Sequence, residues 1–173
     1  MKAKEKFYIK KTNYGGRKMS DVEKRIKELG FRLPVPPKPA ASYIPTQQTG
    51  SLIFTSGQLC TKEGKLLYKG KLGSDLTIEQ GKKAARQALL NCLAVIKDKI
   101  KNLNKINKIV KVFAVVNSAP DFVEQPYVIN GASDFLEEIF GEKGKHARTA
   151  ISANELPFNT PVEIEIIVEL KMQ

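Results

Sequence analysis

Two hydrophobic stretches near the C-terminus constrain this chain more than any other part of it. Lys145-His146-Ala147-Arg148-Thr149-Ala150-Ile151 and Val162-Glu163-Ile164-Glu165-Ile166 flank a loop containing Glu155-Leu156-Pro157. Each reads as a strand, the first beginning near an arginine and the second near a carboxylate. Strand side chains alternate between faces, so Ile164 and Ile166 can enter a core while Glu163 and Glu165 point the other way. The fifteen residues from Arg148 to Glu163 are enough for the second strand to turn back beside the first. A guanidinium and a carboxylate would then stand together at a sheet end, which suits binding of a small carboxylate and handling of a water beside it.

The upstream segments supply partners for that sheet. Ser42-Tyr43-Ile44 and Leu52-Ile53-Phe54-Thr55-Ser56 read as strands joined by a turn at Gln48-Thr49-Gly50, and Glu63-Gly64-Lys65 marks a hairpin turn. Ile109 to Val116 is a β-branched strand. Ser20-Asp21-Val22-Glu23 has capping-box spacing and opens a short helix stopped by Gly30, after which Leu33 to Pro39 is an extended, proline-rich connector. Thr77-Ile78-Glu79-Gln80 repeats the capping box and opens a long helix. Its apolar stripe is Ala85, Ala88, Leu89, Cys92, Leu93 and Ile96. A second helical region runs from Asp121 to about Phe140, interrupted early by Pro126 and weakened by Gly131. The order predicts an α+β single domain over residues 19–173, a mixed sheet with two long helices on one face. Residues 1–18 lack periodicity and are expected to be a disordered basic extension.

Charge matters here because it invites a nucleic-acid reading. The net charge is +11, of which residues 1–18 hold +6 from seven Lys/Arg against one Glu. The rest is spread over many lysines and four arginines, with no zinc-finger, RRM or KH pattern, so it supports only nonspecific attraction to a polyanion. The single histidine, His146, excludes a His-rich metal site, and no apolar run is long enough for a membrane span. His146 reads as a pocket-rim or structural residue. Cys60 and Cys92 sit in apolar segments and read as buried free thiols of a reducing compartment. The chain is expected to be cytoplasmic, with organellar targeting by the basic extension left open.

Several motifs in order carry a family resemblance. Thr55-Ser56-Gly57-Gln58 follows an apolar strand, and the long helix bears Gln80, Gln87 and Asn91. The β-branched strand leads into Ala119-Pro120-Asp121-Phe122, and Arg148 is followed by Leu156-Pro157 and Val162-Glu163-Ile164-Glu165. Over about residues 38–170 this resembles the Rid family (YjgF), the reactive-intermediate or imine deaminases, in a larger and divergent branch. The resemblance implies a chorismate-mutase-like fold and a homotrimer with three clefts between subunits. It implies hydrolysis of enamines and imines such as 2-aminoacrylate to a 2-keto acid and ammonia, with no metal or organic cofactor. Arg148 matches the residue that binds the carboxylate of a small 2-imino or 2-keto acid. Glu163 matches the acidic residue that orients or activates water. Tyr43, Ser56, Gly57 and Ala150 match cleft-lining positions. Where the family usually has an asparagine this chain has Pro126, and Asn130, one turn further on, is not expected to take its place. Ala150 stands where many relatives carry a thiol or hydroxyl. Two other readings compete: a non-catalytic trimer that binds or senses small carboxylates, and an RNA-acting protein, after the older family labels of endoribonuclease and translation inhibitor.

Overall fold

The computed structural model describes residues 21–36 and 41–172. The basic extension at residues 1–18, and Ser20 of the first capping box, lie outside the described residues.

The domain is one sheet with helices on one face. Strands β1 (Thr46–Thr49), β2 (Leu52–Thr55), β3 (Gln58–Leu59), β4 (Thr61–Lys62) and β5 (Lys65–Leu66) precede a long helix. Then come β6 (Ile106–Asn117), β7 (Ala147–Ala153) and β8 (Val162–Leu170). The helices are α1 (Asp21–Glu28), α2 (Ile78–Ile100) and α3 (Gln125–Phe140). The sheet order is β1-β2-β8-β6-β7, with β3 also pairing β8 and β4-β5 forming a separate hairpin. Among the strands of the described residues only β6 and β7 pair in parallel, because α3 crosses over between them. Val112, Ala114 and Val116 of β6 and Val162, Ile164, Ile166 and Val168 of β8 join Leu89, Leu93, Ile96, Phe135 and Leu136 of the helices in one core. On the opposite face the register aligns Phe54 with Ile167, Phe113 with Glu165, and Ile151 with Val115 and Glu163.

Local chemistry accounts for these elements. Thr77 accepts from the Gln80 N–H while the Gln80 side chain accepts from the Thr77 N–H, the expected capping box, and α2 continues for 23 residues. Gly131 lets α3 approach α2 closely, since a methyl there would overlap the Lys82 backbone. Phe31, just beyond α1, meets Phe135 edge-on at 4.9 Å, and the Arg86 guanidinium covers both rings.

The structure corrects three expectations. The first strand is the polar Thr46–Thr49, and Ser42-Tyr43-Ile44 forms a bend instead. Pro45 has no N–H for a ladder, and its carbonyl, with that of Ile44, is tied to Ser56. Pro126 does not interrupt α3; it stands in the first turn, where a missing N–H costs nothing, and Asp121 turns the chain beforehand with a φ of +63°. Finally, β7 and β8 are not neighbours, because β6 lies between them.

Candidate active site

The third correction reorganises the site. Arg148 lies opposite Val112, which lies opposite Ile166, three residues along β8 from Glu163. With strands about 4.8 Å apart and about 3.3 Å per residue, the two Cα atoms stand about 14 Å apart. They also use different faces. Arg148 shares the face of buried Val112 and Ile166 and reaches α3, whereas Glu163 shares the face of Val115 and Ile151. Within one chain the expected arginine–carboxylate pair does not form.

Two half-sites result. The first gathers around Gly57, between β2 and β3. A methyl on Gly57 would overlap Oε1 of Glu163 as it stands, so that carboxyl lies directly against the glycine. Leu59 pairs with Glu163 across β3 and β8. The Ser56 hydroxyl donates to the Ile44 carbonyl at 2.6 Å, which holds the Tyr43 segment against the end of β2. Tyr43 is 44% exposed beside Ile44, at 58%. Ser56 thus ties the Tyr43 segment to the end of β2 that leads into Gly57, against which the Glu163 carboxyl lies.

Glu163 is half-buried, and that burial, with Glu165 two residues away on the same face, pushes its carboxyl above the ordinary 4.5. Burial raises Glu165 as well. A carboxyl that holds its proton more tightly when folded stabilises the fold while protonated. That contribution declines as pH rises from about 4.5 through the raised value. Glu163→Gln mimics the protonated form, so the variant should melt above the parent at pH 8 and close to it at pH 4. Equal melting temperatures at both values would remove the carboxyl's electrostatic cost.

The second half-site lies on the β7 edge. Arg148 donates from Nη1 to Asn130 Oδ1 at 2.8 Å and to Ser133 Oγ at 3.1 Å, both on α3. Ala150 follows two residues later on the same face, packed against the core and opposite Ala114. His146 stands just before β7 and contacts Ser133 Oγ through Nε2 at 3.0 Å. Asn130, set aside on sequence grounds, is therefore in the site, and Ser133 was missed. The legible signal was their three-residue spacing, which puts both on one face of α3. Among the described residues, Arg148 has no carboxylate partner, and its acceptors are neutral. Neutral acceptors orient a guanidinium without cancelling its charge, so the β7 edge presents a cation to an anion.

Lys71 and the two thiols lie away from Arg148 and are held by other contacts. Lys71 is ringed by Asn117, the Asn154 carbonyl and Glu155 at the far end of β6. Both thiols are buried, and desolvation pushes Cys92 up to about 12, well out of the nucleophilic range. Among the described residues no group of three or more His, Cys, Asp or Glu side chains is placed to hold a metal ion, and no helix is long and apolar enough to cross a membrane.

The fold is a chorismate-mutase-like α+β one in which Arg148 and Glu163 stand on separate strands and opposite faces of the sheet. The family described as "YjgF/chorismate mutase-like, putative endoribonuclease" matches residues 23–170, and the chain belongs to it. It is 37% identical over 150 residues to Protein TCP17 of Trypanosoma cruzi, covering 86% of this chain and 94% of that protein. The solved structure of Atu1372 from Agrobacterium tumefaciens is 43% identical with a TM-score of 0.82, covering 87% of this chain and 93% of that one. A "putative endoribonuclease" from Shewanella oneidensis is 37% identical with a TM-score of 0.84, covering 86% and 99%.

Proposed function

We propose that this protein hydrolyses small reactive 2-imino or enamine acids to 2-keto acids and ammonia. The proposed sites are clefts where the Arg148 half-site of one subunit faces the Gly57–Glu163 half-site of the next, in a homotrimer of about three times 19.3 kDa. The observation that carries this reading is the partly buried Arg148, oriented by neutral acceptors and lacking a carboxylate partner among the described residues. Its chemistry calls for a small carboxylate. The exposed Phe54 and Ile151 lie on the sheet face away from the helices, where a second copy can cover them.

In this reading Arg148 anchors the substrate carboxylate. Water adds to the imine carbon, Glu163 accepts a proton from that water, and the C=N bond becomes a C–N single bond. The imine reacts in its protonated form, so this step leaves a neutral carbinolamine; Glu163 then returns its proton to the nitrogen, and ammonia leaves as the hydroxyl proton passes back to Glu163 and the C–O single bond becomes the ketone C=O. A raised carboxyl pKa suits a group that must both take and give back a proton. The substrate is already activated, so positioning supplies most of the acceleration.

The family description and the +11 charge favour RNA as the competing substrate class. The Glu163–Glu165 pair argues against phosphate at the first half-site, since ionised carboxylates repel it. The test is release of 2-keto acid from a freshly generated imino acid. The proposal expects a rate above the spontaneous one, lost in Arg148→Ala. No excess over the spontaneous rate, together with salt-sensitive RNA cleavage, would replace it with the RNA reading.

A further inference from the structure

Arg148 ends a chain of hydrogen bonds whose direction is fixed at both ends and, with a neutral His146 ring, throughout. The Gly144 carbonyl can only accept, so His146 Nδ1, 2.6 Å away, carries the ring proton. In the neutral ring Nε2 is then an acceptor, and the Ser133 hydroxyl donates to it. Ser133 has one proton, so its oxygen accepts from Arg148 Nη1. The second Nη1 proton goes to Asn130. Among the described residues the guanidinium makes no hydrogen bond through Nε or Nη2. Those two nitrogens form one edge of the planar fork, with the spacing of a carboxylate. The far end of the chain is rigid as well. Gly144 is buried, and a methyl there would overlap the Leu136 carbonyl, so the turn carrying the His146 acceptor lies directly on α3, one turn beyond Ser133.

We infer that Ser133 and His146 are positioning residues for Arg148. With Asn130, they lock its plane so that the Nε–Nη2 edge grips the carboxylate of a small 2-keto or 2-imino acid. The inference rests on the carboxylate-anchoring reading above. The relay touches no reacting atom. Its effect is on how tightly and at what angle the acid is held, so it acts on binding and KM more than on kcat.

The experiment compares pyruvate binding, by calorimetry on the full-length protein, with steady-state imine hydrolysis. Ser133→Ala and His146→Phe should each weaken pyruvate binding and raise KM about tenfold, with kcat changed by about twofold or less. Ser133→Thr restores the hydroxyl, and His146→Gln places an amide oxygen near the lost Nε2 acceptor. Both should recover most of the binding at unchanged melting temperature, which a merely structural role does not predict. Should His146→Phe lower the melting temperature, the Ser133→Ala and Ser133→Thr pair decides, since it alters no ring packing. If Ser133→Ala binds pyruvate like the parent while Arg148→Ala does not, the positioning inference is wrong and the anchor stands. If Arg148→Ala itself binds like the parent, the anchoring reading falls and the relay with it.

Discussion

On the proposed reading, Arg148→Lys is expected to lower kcat/KM for imino-acid hydrolysis by about 10²-fold or more. Lysine keeps the charge, so electrostatic attraction of the substrate survives. It has no planar fork and cannot be held by Asn130 and Ser133 while offering two parallel donors to a carboxylate. The acid would be bound at one point and free to swing, and misplacement by an ångström is enough for a loss of this size. Glu163→Gln should show the complementary pattern. It retains shape and hydrogen-bonding reach at Gly57 but cannot accept a proton, so turnover falls further than pyruvate affinity. Stopped-assay keto-acid release and calorimetric binding on both variants check the contrast. A lysine variant that turns over imino acids like the parent excludes carboxylate anchoring. A silent Glu163→Gln would assign the proton work to another group near Gly57 while leaving the anchor intact.

What the sequence revealed follows from which signals are local. The capping box at Thr77 and Gln80 and the stripe from Ala85 to Ile96 gave α2 because both act within a few residues. Alternation in β8 correctly put Ile164 and Glu163 on opposite faces. The neighbour of β7 is a long-range choice, and periodicity carries no information about it. Strands adjacent in sequence suggested a hairpin, yet β7 pairs parallel to β6 after the α3 crossover. That one error joined Arg148 and Glu163 in a single chain, where β6 stands between their strands. The sequence reads Tyr43 as a strand residue, whereas Pro45 and the bonds from Ser56 shape that segment into a bend. Asn130 was passed over because the resemblance pointed at the position of Pro126. Asn130 and Ser133 on α3 both face the arginine and accept from it.

The separation of the half-sites makes a direct test of the central claim, which is that each cleft draws Arg148 from one subunit and Glu163 from its neighbour. Arg148→Ala and Glu163→Ala subunits, each expected to be inactive alone, are co-expressed with different tags and purified as mixed trimers. In a head-to-tail ring every cleft lies between successive subunits. A ring that carries both tags holds the two kinds of subunit in a two-to-one ratio, so about a third of its clefts take Arg148 from one kind and Glu163 from the other and have both residues intact. Keto-acid release should therefore return to about a third of the parental rate per subunit. Verified mixed trimers with no activity above the sum of the two separate variants would contradict the account, since a site completed within one chain always lacks one residue in such a mixture.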